Sequence, residues 1–156
     1  MQEFISKSKE ETQEIAADFA KKLKGGEVLC FYGNLGSGKT TFIQALGKAL
    51  GIKENITSPT FVLMKRYPRR GDPAGRPNKK TFFYHLDVYR LTDPEQALDL
   101  GIEEIWNDPN NIIAIEWADK ISDILPPKHI DLCFACPDRS VGENIDENER
   151  KITIFN

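Results

Sequence analysis

Gly33-Asn34-Leu35-Gly36-Ser37-Gly38-Lys39-Thr40 decides how the rest of the chain is read. The stretch has the P-loop spacing of a glycine, four residues, then Gly-Lys-Thr. Val28-Leu29-Cys30-Phe31-Tyr32 precedes it, an apolar and aromatic run that reads as a buried strand. After it, Phe42, Ile43, Ala45, Leu46, Ala49 and Leu50 recur at helical spacing, and Gly51 supplies a stop. Strand, glycine-rich loop and helix in that order distinguish a phosphate cradle from an ordinary glycine turn.

The residue types fit that chemistry. Gly33, Gly36 and Gly38 open backbone angles closed to other residues and let N–H groups approach phosphate oxygens. The helix that follows adds unpaired N–H groups and the positive end of its dipole. Lys39 is a mobile point charge with the reach to touch β- and γ-phosphates. Thr40 offers a hydroxyl to Mg²⁺, an ion that keeps several waters and takes few protein ligands.

The bulk properties exclude several classes. A chain of 156 residues reads as one domain over 1–156 and is long enough for one sizeable core. Net charge is −3 with 29% charged residues, so no broad basic excess points to nucleic-acid gripping. No apolar run approaches the roughly 20 residues that span a bilayer, and the first residues carry acids rather than an export signal. The expected location is the cytoplasm, with no membrane partner. Three cysteines make no disulfide framework. Cys133-Phe134-Ala135-Cys136 resembles half a zinc site, but it lies in a strand-like run and has no second pair. His129, nearby, adds little to a metal reading.

Further along, Ser8 and Glu11 form a capping box, and Ile15, Ala16, Phe19, Ala20 and Leu23 form one apolar stripe ending at Gly25-Gly26. This is a packing helix, from which Thr12 could reach a nucleotide base. Ser58-Pro59-Thr60-Phe61 reads as a constrained loop entering a strand over 62–67. Residues 68–80 hold three prolines, two glycines and five basic residues, the composition of a long basic hairpin loop. Thr81–Asp87 reads as the return strand. Thr92-Asp93-Pro94-Glu95 opens a helix, Ile112–Trp117 suits a central parallel strand, and 130–134 with 151–155 read as a closing antiparallel pair. The fold class expected is α/β, a P-loop NTPase-like three-layer sandwich. Its central mixed, mostly parallel sheet carries flanking helices and antiparallel hairpin strands.

A P-loop alone binds phosphate; hydrolysis also needs an acid that holds Mg²⁺ waters or orients the attacking water. Asp87 and Glu116 stand at the carboxyl ends of predicted strands, where ligands of open α/β sheets bind. Asn78-Lys79-Lys80-Thr81 fails the guanine-reading pattern Asn-Lys-x-Asp. Asp72-Pro73-Ala74-Gly75 lacks the apolar strand that a GTPase motif would need before it. ATP is therefore the expected nucleotide.

Gly33 to Thr41, Ser58-Pro59-Thr60-Phe61, His85-Leu86-Asp87-Val88-Tyr89-Arg90 and Ile115-Glu116-Trp117 occur in this order. Together they resemble the TsaE (YjeE) family, small bacterial ATPases of tRNA threonylcarbamoyladenosine synthesis, from about Ser8 to about Pro127. The basic tip at 68–80 is longer than that family's pattern, and no motif is placed after Pro137. The resemblance implies Mg²⁺ contacts at Thr40 and Glu116, a hydrolytic acid at Asp87, Trp117 beside the nucleotide, and a switch-type loop at Ser58, Pro59 and Thr60. The ATP-binding set becomes Gly33, Asn34, Leu35, Gly36, Ser37, Gly38, Lys39, Thr40, Thr41, Thr12, Asp87 and Trp117, with Lys39, Asp87 and Glu116 catalytic. The resemblance also implies a weak ATPase acting with a TsaB–TsaD complex. Arg69, Arg70, Arg76, Lys79 and Lys80 are candidates for touching tRNA or an acidic partner surface. The alternative is a small-molecule kinase, with Arg66, Arg69, Arg70 and Arg76 as an arginine lid.

Overall fold

The strand that leads into the glycine-rich loop, β2 (Val28–Tyr32), lies at the centre of a seven-stranded sheet. The structure is a computed structural model and describes residues 1–69, 81–135 and 149–155. Around β2 stand β1 (Gln2–Ser6), β3 (Met64–Arg69), β4 (Thr81–Asp87), β5 (Ile112–Glu116), β6 (Ile130–Ala135) and β7 (Arg150–Phe155), in the order β1-β7-β6-β2-β5-β4-β3. The three central ladders, β6 with β2, β2 with β5 and β5 with β4, are parallel. The outer three are antiparallel. The expected mixed sheet is therefore present, with parallel and antiparallel ladders in equal number.

Helices cover both faces because alternate residues of the central strands are apolar on both sides. α1 (Lys9–Ala20) and α2 (Lys39–Ala49) share one face with Leu29, Phe31, Phe83, Ala114 and Leu132. Within that layer Phe42 meets Phe19, Phe31 and Phe134 at ring-centroid distances of 6.1, 5.8 and 5.5 Å. This contact ties the helix after the loop to the strand before it. α3 (Glu95–Leu98), α4 (Ile102–Asn107) and a 3₁₀ segment over Ala118–Ile124 cover the other face, against Val28, Cys30, Leu86, Ile113 and Ile115.

Ser8 caps α1 as expected, its hydroxyl accepting from the Glu11 N–H at 3.1 Å, but the return bond of the capping box is shifted by one residue: Glu11 Oε2 accepts from the Lys7 N–H at 2.7 Å, not from that of Ser8. Two elements differ from the sequence reading. The helix expected after Thr92 and before Gly101 is α3, whereas α4, which starts beyond Gly101 at φ 70°, was not anticipated. β1 was not anticipated; it is a mixed polar and apolar edge strand, held by β7. None of the described helices is long and apolar enough to cross a membrane.

Candidate functional site

α2 starts from Gly38 at φ 101°, and no side chain caps it. Its first ladder bond runs from the Phe42 N–H to the Gly38 carbonyl at 3.0 Å. The first-turn N–H groups of Thr40 and Thr41 therefore have no partner within the helix. The glycines of the loop divide the work unequally. A Cβ built on Gly36 or Gly38 meets nothing within 4 Å, so open space for a ligand lies above them. A Cβ on Gly33 would stand 2.4 Å from the Phe134 carbonyl and 2.9 Å from Ser37 Oγ. Gly33 is thus also required for close packing of the loop on β6.

Lys39 is buried and curls back over the loop: its Nζ donates to the Gly33 carbonyl at 2.6 Å and the Asn34 carbonyl at 3.0 Å. It also lies 4.3 Å from the centre of the Trp117 ring, a cation–π contact that roofs the ammonium. Trp117 holds φ at 62°, a costly angle for a bulky residue, with its N–H on the Phe31 carbonyl at 3.1 Å. Tyr89 packs on the same ring at 4.8 Å.

The sheet register sets Asp87 opposite Glu116, and both are buried. Thr40 Oγ1 donates to Glu116 Oε1 and Oε2 at 3.0 and 3.1 Å, closing the loop helix onto β5 across 76 residues of sequence. His85, fully buried on β4, stands with Nε2 2.8 Å from Glu116 Oε1. A carboxylate only accepts, so Nε2 carries the proton; Nδ1 is sealed without a hydrogen-bond partner. Asp87 is held by the loop before β3. Its Oδ2 accepts from Thr60 Oγ1 at 2.6 Å and Ser58 Oγ at 3.0 Å, and its Oδ1 from the Tyr89 N–H at 3.2 Å. Pro59 shapes that loop, its carbonyl accepting from the Val62 and Leu63 N–H groups. Leu63, at φ 61°, returns its carbonyl to the Asp87 N–H. Among the described non-glycine residues only Leu63 and Trp117 have positive φ, and each braces one of the two acids.

Thr12 is the predicted site residue whose bonds go elsewhere. Its buried hydroxyl lies 2.7 Å from Ser6 Oγ and 3.1 Å from the Ser8 carbonyl, knotting the start of α1 to the end of β1. The arginine lid loses two members: the Arg66 guanidinium stacks 4.7 Å over Phe82, and Arg69 is buried at the end of β3 instead of standing on the exposed tip. Arg70, Arg76, Lys79, Lys80 and Cys136 lie outside the described residues. His85 and Leu63 were missed as site residues. His85 had one legible signal, its place two residues before Asp87 on the same strand face; the Leu63 backbone angle had none. Two grooves along α1, of about 670 and 950 Å³, contain no residue of the loop.

The family model for "Threonylcarbamoyl adenosine biosynthesis protein TsaE" matches residues 6–144. A tRNA threonylcarbamoyladenosine biosynthesis protein TsaE of Aquifex aeolicus is 35% identical over 99% of this chain and 96% of its own length. The protein of the same name from Bacillus subtilis is 35% identical over 93% of this chain and 79% of its length. The crystal structure of Bacillus subtilis YdiB superposes with a TM-score of 0.69 at 27% identity, covering 98% of this chain and 83% of that one. On the sequence match over nearly its whole length, and on the shared fold, the chain belongs to the TsaE family.

Proposed function

We propose that this protein binds ATP with Mg²⁺ in the Gly33–Thr41 cradle and hydrolyses it slowly, as the nucleotide-driven accessory of a tRNA threonylcarbamoyladenosine-forming TsaB–TsaD complex in the cytoplasm. The observation that carries this reading is the bond from Thr40 to Glu116, which joins the phosphate-facing end of α2 to an acid of the central sheet. The residues fit both groups. Space stands open above Gly36 and Gly38, the helix N–H groups are free of helical partners, and a hydroxyl and a carboxylate already share one point.

Thr40 and Glu116 would hold the Mg²⁺, which supplies neutralisation of charge on the β- and γ-phosphates. Lys39 turns from the Gly33 and Asn34 carbonyls toward the phosphate tail, a swing for which its flexible stem is suited. Trp117 covers the ammonium and keeps water from it. Asp87, with two hydroxyl groups and one N–H already on it, is a fixed acceptor that can order the attacking water. Ser58 and Thr60 make the pose of Asp87 depend on their loop, so a partner that moves the loop changes the acid. Slow turnover alone fits the placement of three described arginines: Arg66 stacks on Phe82, Arg69 is buried, and Arg90 stacks 4.5 Å over Phe61. None of the three is committed to the phosphates, and a charge delivered by a partner would supply what is lacking. Arg70, Arg76, Lys79 and Lys80 are proposed to contact tRNA or an acidic partner surface, tested by neutralising them and reading salt-dependent association.

Lys39→Ala should abolish ATP binding in calorimetry, and retained tight binding would reject the cradle. Asp87→Ala should lower hydrolysis by about two orders of magnitude or more while most of the nucleotide affinity survives. Equal turnover would remove Asp87 from the mechanism. Capture of a TsaB–TsaD complex with ATP, and not without it, tests the partner reading.

A further inference from the structure

The sheet face away from α1 and α2 carries a second cluster, independent of the nucleotide reading. Parallel pairing of β2 with β6 sets Cys30 beside Asp131, and His129 stands just before β6. The Cys30 thiol, a ring nitrogen of His129 and a carboxylate oxygen of Asp131 all lie within 4.8 Å of one another. Cys30 is fully buried, while His129 and Asp131 are 26% and 34% exposed, which leaves a solvent-side entry.

The protons of this cluster are short by one cation. His129 Nδ1 stands 2.7 Å from the Pro126 carbonyl, which only accepts, so Nδ1 bears the hydrogen. In a neutral ring Nε2 then presents a lone pair, 3.3 Å from Asp131 Oδ1. That oxygen is sealed from solvent with no hydrogen-bond partner of its own, although the Tyr32 hydroxyl stands beside both the same carboxylate and Cys30. Two acceptors facing each other beside a thiol need a proton or a metal ion between them. The backbone-anchored Nδ1–H is also the arrangement that orients a ligating imidazole.

We infer that Cys30 Sγ, His129 Nε2 and Asp131 Oδ1 form a binding site for a borderline-soft divalent cation of the Zn²⁺ type, with water as the fourth ligand. Thiolate, imidazole and carboxylate are the donor set zinc takes, and magnesium does not take a thiolate. Ligand atoms around tetrahedral zinc stand roughly 3.3–3.8 Å apart, so the three groups close by about 1 Å on binding. Binding converts Cys30–SH and Zn²⁺ into Cys30–S–Zn and one released proton.

The test uses the full chain in excess Mg²⁺ and ATP, which keeps the cradle out of the reading. Zn²⁺ should be retained at about one per chain, and Co²⁺ should give a thiolate-to-cobalt charge-transfer band. Cys30→Ser should remove that band; His129→Ala, at a half-buried position that does not endanger folding, should weaken Zn²⁺ binding at least about tenfold. Cys133→Ser should leave both unchanged. If the wild type retains no more zinc than His129→Ala, or the cobalt band survives in Cys30→Ser, a proton and not a metal bridges His129 and Asp131, and the site is withdrawn.

Discussion

His85 is the residue on which the pose of Glu116 depends. It donates from a fully buried ring, and its other nitrogen has no partner, so nothing else fixes its orientation besides packing and Glu116. His85→Leu keeps the volume and removes the donor. It should lower stability by about 1–3 kcal/mol in urea denaturation, the cost of a lost hydrogen bond to a buried charge. It should also weaken ATP binding more in Mg²⁺ than in a chelator, because the role proposed for the Glu116 carboxylate is to hold the metal. His85→Gln, whose amide can donate from a similar place, should restore part of both. Equal losses with and without Mg²⁺ would make His85 a packing residue only.

At the scale of the element, the glycine loop predicts two different failures. Gly33→Ala drives a methyl into the Phe134 carbonyl at φ 137°, and backbone cannot step aside cheaply. The expected loss is about 3 kcal/mol or more, combining left-handed strain with overpacking, read as a lowered Tm. Gly36→Ala, at φ 78° with nothing within 4 Å, carries the strain alone, about 1–2 kcal/mol, yet places its methyl in the open cradle. It should cost nucleotide affinity out of proportion to stability. Similar Tm values for the two variants would contradict this division. That three glycines stand in the loop is visible in the sequence; which of them packs and which faces ligand is not, because β6 comes to Gly33 from about a hundred residues away.

For the whole molecule, Phe42 joins α2 to α1, β2 and β6 through three ring contacts, so its truncation loosens both the core and the loop. Phe42→Ala should cost about 3–5 kcal/mol in chemical denaturation. Alkaline pH should destabilise the metal-free chain through Cys30. Its thiol is raised from 9.0 to about 12 in the folded state, so the unfolded state releases that proton first. Stability is therefore full below about pH 9 and falls as pH rises toward 12, by up to about 1.4 kcal/mol per unit from this group. Urea denaturation in a chelator at several alkaline pH values measures the slope, and Cys30→Ser should reduce it by the share of this group, leaving that of Cys133 and Tyr32.

By itself the sequence determined what is local. The spacing from Gly33 to Thr40, the apolar run of β2, the helical period after it and the acids ending β4 and β5 are encoded within a few residues each. Backbone sterics and burial read them without distant help. Tertiary structure alone decided what meets what. It added α4 beyond Gly101, buried Arg69, turned Thr12 toward Ser6, brought His85 to Glu116, and laid Asp131 beside Cys30 across a parallel ladder. Parallel neighbours are far apart along the chain, and their register follows from how both faces of the sheet pack, which no single stretch of residues specifies.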